Sequence, residues 1–223
     1  MARFTTKLFA AFAAAVTLSA CDGGSSRDEL MTFLPEAEAA EATIQRIAGD
    51  EFEEIDPLPG SAFVAIPDTG IAVFTGPGRV DIFSRSVTGA AGVTQTTDET
   101  VIGLQGEARI SVDFAASTFS GTMDDFTALD PEDLSIADAA GSLSIEGGVG
   151  TGVPNDLGGS FTGTITAFDE EYVLSGGLEG KLRGTRVDPG ERSPIKALSL
   201  TGEDQEIAGR DLLADIVIVG ETP

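Results

Sequence analysis

Beyond residue 60 most of the chain alternates apolar and polar residues with a period of two, most clearly over residues 106–126. Ala108, Ile110, Val112 and Phe114 alternate there with Arg109, Ser111 and Asp113, the pattern of a strand with one buried and one wet face. After Ala115, Ala116 and Ser117 the chain returns with Phe119, Gly121 and Met123 on one face and Ser120, Thr122 and Asp124 on the other. The spacing predicts a β-hairpin. The same reading predicts strands at 62–66, 71–75, 80–84 and 100–104, separated by Pro67-Asp68-Thr69-Gly70, Gly76-Pro77-Gly78 and Gly103. The motif Phe119-Ser120-Gly121-Thr122-Met123 with Phe126 recurs as Phe161-Thr162-Gly163-Thr164-Ile165 with Phe168, which predicts a second strand of the same kind. After Asp169-Glu170-Glu171 a return strand starts at Tyr172, with Gly176, Leu178, Gly180, Leu182 and Gly184 on one face, and residues 195–201 and 215–219 complete the set.

Elsewhere the period changes. Ala37, Ala40, Ile44 and Ile47 stand at helical spacing within the Ala/Glu-rich run 36–48, Ser26 with Glu29 fits a capping box, and Gly49 supplies a stop. One helix is expected, or two broken near Pro35, following a small polar tether at 22–27; its narrow apolar stripe reads as a face that docks on the following domain. Pro57 and Pro59 among acidic residues mark the linker at 50–60 that ends this arm. A second, short helix is expected at 129–141, where Asp130 suits an N-cap, Pro131 the first helical position, Glu132 and Asp133 the positive end of the dipole, and Gly141 the stop. Residues 147–159 read as a loop.

Glycine occurs 28 times in 223 residues without a collagen-like period, which points to turns and sharply curved strands. Small residues on an inner face let a narrow sheet curl and close. The fold class expected is therefore all-β, a small antiparallel barrel of eight (eight to ten) strands over residues 60–223, filled by its own side chains and preceded by a helical arm at 21–59.

The first twenty residues change the compartment. Arg3 and Lys7 precede an apolar stretch, residues 8–16, that is too short to span ~30 Å of hydrocarbon. Leu18-Ser19-Ala20-Cys21 follows, which resembles the lipobox of bacterial lipoproteins, with the single cysteine of the chain at the position that becomes the lipid-bearing first residue. Residues 1–20 are then a signal peptide and Cys21 the lipid attachment site. Its acylation leaves no thiol for a disulfide or a metal. An anchor on the envelope is expected, on the outer membrane or cell surface rather than the periplasmic face of the inner membrane. Asp22 resembles the inner-membrane retention signal of enterobacterial lipoproteins.

Charge and chemistry narrow the partners. The net charge is -24, from 37 acidic and 13 basic residues, and loss of Arg3 and Lys7 with the signal peptide takes it to -26. A phosphate backbone is repelled by such a surface, so no nucleic-acid partner is expected. The chain has no histidine and no Trp, hence no Ser-His-Asp arrangement and no stacking platform for a sugar. Gly180-Lys181 lies in a strand pattern rather than a phosphate loop. Asp169 and Glu171 read as a solvated hairpin turn, and Asp124, Asp125, Asp130, Glu132 and Asp133 lack EF-hand spacing for calcium. Lys181, Arg183 and Arg186 form a basic face, either paired with neighbouring strands or open to a partner. Tyr172 is the one side chain placed to ligate haem, and no haem binding is expected. No catalytic residue, metal or cofactor is assigned.

Thr69-Gly70-Ile71-Ala72-Val73-Phe74-Thr75-Gly76, then Val112-Asp113-Phe114, Phe119-Ser120-Gly121, Ser160-Phe161-Thr162-Gly163 and Gly177-Leu178-Glu179-Gly180, resemble the barrel domain of transferrin-binding-protein-like surface lipoproteins over residues 60–220. The resemblance implies an eight-stranded antiparallel barrel that holds a protein or nutrient at the cell surface through variable loops. The function expected is that of a monomeric, lipid-anchored, non-enzymatic binding lipoprotein whose barrel loops engage a protein or small-solute ligand. A structural or accessory lipoprotein docking on another envelope complex is the alternative.

Overall fold

The computed structural model describes residues 24–49, 57–58, 64–90, 93–150, 156–184 and 193–223. The signal segment 1–20, Cys21 and Arg186 lie outside them, and with them most of the linker at 50–60. Among the described residues a helix α1 (Gly24–Ala48) precedes nine strands: β1 (Val64–Ala65), β2 (Ile71–Ala90), β3 (Val93–Asp113), β4 (Thr118–Asp130), β5 (Ser135–Val149), β6 (Asp156–Ala167), β7 (Glu170–Gly184), β8 (Ser193–Glu206) and β9 (Leu213–Glu221). Strands β2 to β9 pair antiparallel in chain order, and β9 pairs back onto β2, so the eight close into a barrel. Strand β1 adds a two-residue parallel pairing to β8.

The period-two residues of the central hairpin are buried as expected: Ala108, Ile110, Val112, Phe114, Phe119 and Met123 all face the core. Large and absent side chains alternate around the wall. Phe119 pairs with Gly147, which pairs with Gly159, and a methyl group at either glycine would stand within 2.7 Å of Phe119 Cζ. Met123 lies over Gly78 in the same way, a methyl there meeting Sδ at 2.7 Å. The rings and thioether thus use the space that the glycines leave, and Phe74, Phe161, Ile110, Leu143, Ile145 and Ile165 fill the rest.

Several sequence expectations are corrected. Residues 129–141 are not a helix: β4 runs to Asp130 and β5 starts at Ser135. The capping residues serve a tight turn instead, Asp130 Oδ1 accepting the Glu132 N–H and Asp133 Oδ1 accepting the Ser135 N–H, with Leu134 left-handed at φ 62°. Residues beyond it pair on both sides, with β4 and β6, and that ladder outweighs a weak local helix preference. Gly76-Pro77-Gly78 is no turn either, because β2 runs through it. The β2–β9 ladder passes from Thr75↔Glu221 to Gly78↔Ile218 with no pair at Pro77, the kind of position a strand grants to proline. The expected strands 80–84 and 100–104 are parts of the long β2 and β3, and both flanks of the expected loop 147–159 join the sheet, β5 running to Val149 and β6 starting at Asp156. The arm is one continuous helix with Pro35 inside it, and it begins at Gly24, within the expected tether.

The barrel has two unlike ends. At one end lie the β2–β3, β4–β5, β6–β7 and β8–β9 connections, and at the other the β3–β4, β5–β6 and β7–β8 connections. Beyond Phe83↔Leu213 and Gly103↔Leu129, strands β2 and β3 outrun their neighbours, and residues 84–90 and 93–99 pair only with each other. They form a two-stranded ribbon that projects from the first end.

Candidate functional site

Outward positions of a barrel strand ordinarily face water, yet here Leu129, Ala197, Val217 and Val219 are buried. The reason is α1, which lies along the outer wall. Phe33 and Ala37 pack on Leu129 beside Leu134 and Ile136, and Ile44 and Ile47 pack on Ala197, Val217 and Val219. The stripe Ala37, Ala40, Ile44 and Ile47 is therefore a docking face, as its spacing predicted. It also explains β9, whose Ile216-Val217-Ile218-Val219 is apolar without alternation because both faces are covered.

A charge cluster sits under the helix. Arg79, on the outer face of β2, donates from Nη1 to Glu41 Oε2 of α1 at 2.6 Å, and its Nε stands 2.9 Å from Asp81 Oδ2. Arg79 and Asp81 are both more than nine-tenths buried. Asp81 Oδ1 has no hydrogen-bond partner among the described residues, and Asp81 lines a small cleft with Phe33, Arg79, Gly103, Leu104, Gln105 and Leu129. Directly across the ladder from Asp81 stands Asp215 of β9, a second carboxylate on the same face.

Burial dominates the electrostatics. It works against the Arg79 charge, but Asp81, Glu41 and Asp215 together more than offset it and hold the guanidinium above its ordinary value. Burial pushes the Asp81 carboxyl up against the pull of Arg79. It also pushes Asp215 up to about 6, aided by the negative charges of Asp204, Asp81 and Glu203 and opposed by a hydrogen bond from the Asp204 N–H at 2.7 Å.

From Asp215 the network reaches the ribbon. Asp204, in a left-handed conformation at the β8 irregularity, accepts Arg85 Nη2 at 2.6 Å, and Arg85 also holds its cross-strand neighbour Asp98 with two hydrogen bonds of 2.7 and 3.1 Å. One line of charged residues thus joins α1, the wall and the base of the ribbon, with Arg79 and Arg85 at either side of the carboxylates Asp81, Asp215 and Asp204. Chemically it is a fastening, and it contains no nucleophile with an adjacent base.

The barrel mouth at the ribbon end is closed by the β8–β9 connection, whose Ile207 is buried in the core. Tyr172 lies there with its hydroxyl directed to Glu170 at 3.3 Å and Arg210 Cζ 4.6 Å from its ring centroid, while Arg210 Nη1 meets Glu170 Oε2 at 2.6 Å. Only 4% of Tyr172 is exposed, so the one side chain singled out for haem is covered. Burial raises its pKa, with the Glu170 charge acting in the same direction. Asp169 sits in this turn, whose two central residues Phe168 and Asp169 both have positive φ, as a two-residue hairpin requires, while Glu171 lies beyond it in β7.

Asp124 and Asp125 lie at the β4 irregularity, six or so residues along the strand from Asp130, Glu132 and Asp133, a separation of roughly 20 Å that the fold does not close. Among the described residues no group of three or more acidic, Cys or His side chains could hold a metal ion. Lys181 faces Asp156 at 3.7 Å, whereas Arg183 is half-buried and donates to Ser199 Oγ at 3.1 Å and to the Leu58 carbonyl at 2.9 Å. The basic face is thus partly spent on tying the linker to the wall.

Sequence reasoning missed Glu41, Arg79, Asp81 and Asp215. Arg79 and Asp81 alternate with Val80 and Ile82 like any wet strand face, and only the unbroken apolar run of β9 signals that the outside is covered there. No protein-family model matches this chain, and no curated protein matches it.

Proposed function

We propose that this chain is a lipid-anchored, non-enzymatic binding lipoprotein of the bacterial cell envelope, held through Cys21 and displayed on the outer membrane, with barrel loops that engage a protein or small-solute ligand. The observation that carries the reading is the filled barrel. Phe74, Phe119, Met123 and Phe161 occupy the space a lipocalin-like ligand chamber would need, which moves any contact to the rims and favours a protein over a solute. No helix among the described residues is long and apolar enough to cross a membrane, so attachment in this reading rests on the lipid. The likeness to transferrin-binding-protein-like lipoproteins belongs to the same proposal: it is carried by the short motifs at 69–76, 112–114, 119–121, 160–163 and 177–180, and the eight-stranded closure is compatible with it in a fold that hosts many functions.

Protease shaving of intact cells followed by cross-linking tests it. A surface-displayed receptor is clipped without permeabilisation, and a photo-reactive residue at Ala115 captures a defined partner. Protection until the outer membrane is opened, with no partner captured from outside, would instead favour an accessory lipoprotein facing the periplasm.

A further inference from the structure

The direction of α1 decides which end of the barrel can meet a partner. The helix is fastened at three levels: Phe33 and Ala37 on Leu129 near the ribbon end, Glu41 on Arg79 midway, and Arg46 on Glu221 at the opposite end, with Nη2 to Oε2 at 2.7 Å. Its N-terminus therefore points past the ribbon end. Residues 24–32 add roughly 13 Å of helix beyond Phe33 at 1.5 Å per residue. Cys21 precedes Gly24 by three residues, a reach of at most about 10 Å. Gly24 to Arg46 spans roughly 33 Å along the helix. A tether of about 10 Å cannot bring the far end to the bilayer while α1 stays docked.

We infer that in the anchored protein the ribbon end of the barrel faces the membrane and the opposite end, with the Phe114–Ser117 side of the β3–β4 hairpin, faces outward. This rests on lipidation of Cys21, the reading given above.

Two further features agree with that posture. The ribbon's residues 84–90 extend roughly 23 Å past the rim at ~3.3 Å per residue, comparable with the combined reach of helix and tether, so its tip and the lipid come to a similar level. Its outer part, Ser86–Thr97, carries no charged residue, and so acidic a chain approaches anionic headgroups best through such a segment. Lying the molecule on its helix is opposed by Glu36 and Glu38, which are exposed on the outward side of α1.

The test uses the full lipidated protein purified from its membranes and returned to phosphatidylcholine/phosphatidylglycerol vesicles. Because Cys21 is acylated, single cysteines at Val87→Cys and Glu132→Cys on the ribbon end, and at Asp68→Cys and Ala115→Cys on the other, each carry one spin label. A nickel chelate on lipid headgroups should speed relaxation several-fold more at positions 87 and 132 than at 68 and 115. Equal effects at both ends, or stronger ones at 68 and 115, overturn the orientation. Failure of the wild type to float with vesicles, matching Cys21→Ser, removes the anchor instead and the orientation with it.

Discussion

Replacing Arg79 with Met removes the one cation that, among the described residues, faces a buried site holding Glu41, Asp81 and the half-buried Asp215. Side-chain exposure is 8% at Arg79, 13% at Glu41 and 12% at Asp81, so water cannot take over its role. Stripping one partner from a buried ion network costs about 3–5 kcal/mol, because the remaining charges stay uncompensated. For a chain of this size that is a fall in Tm of roughly 6–20 °C. The triple variant Glu41→Leu, Arg79→Met, Asp81→Leu removes the three most buried charges together and leaves only the half-buried Asp215, and replacement of such a group by apolar side chains is about neutral or stabilising. It should recover most of the loss. As a control, Glu221→Gln breaks the Arg46 pair, which is nearly half exposed on both sides and worth less than about 1 kcal/mol. Urea unfolding followed by circular dichroism gives the energies, and hydrogen exchange along α1 shows where the loss falls. A cost below about 1 kcal/mol for Arg79→Met, or a triple variant less stable than the single one, would refute the reasoning.

Asp215 gives a pH dependence of definite sign. Its folded pKa, raised to about 6 by burial, lies above the ordinary value of 3.8, so the folded chain holds this proton more tightly and is stabilised as pH falls from 7 through 6. After discounting for its partial exposure the gain by pH 5 is about 1 kcal/mol, and Asp215→Asn should abolish this part of the Tm rise between pH 7 and 5. Phe119→Asp puts a charge in the packed interior and should cost several kcal/mol, whereas Ser120→Asp, on the wet face, should stay within about 0.5 kcal/mol; chemical denaturation of both compares them directly. Gly147→Ala sets a methyl 2.4 Å from the Gly158 carbonyl oxygen and against the Phe119 ring, and a loss of about 1–3 kcal/mol in the same assay is expected.

The hairpin at 106–126 and the docking stripe of α1 were legible because each keeps one period over three or more turns or pleats, and the partner surface rewards that period directly. Residues 129–141 misled because Asp130, Pro131 and Asp133 cap a helix and close a tight turn with the same side-chain hydrogen bonds; what decided between them was a free edge on β4 and β6, a non-local fact. Gly76-Pro77-Gly78 misled for a similar reason, since a gap in the β2–β9 ladder absorbs the proline. The charge cluster was illegible because burial of Arg79 and Asp81 comes from a helix some forty residues earlier in the chain, and nothing in the local alternation around Val80 and Ile82 reports it.

A barrel anchored as proposed carries its lipid at the mature N-terminus. Intact-protein and N-terminal peptide mass spectrometry on material extracted from the producing cell's membranes should find a chain that begins at Cys21 and carries both a thioether-linked diacylglycerol and, where the host adds it, an amide-linked acyl group. The Cys21→Ser protein should lack every lipid mass and leave the membrane fraction or keep residues 1–20. A mature chain that begins elsewhere, or one that holds Cys21 as a free thiol, would contradict the account.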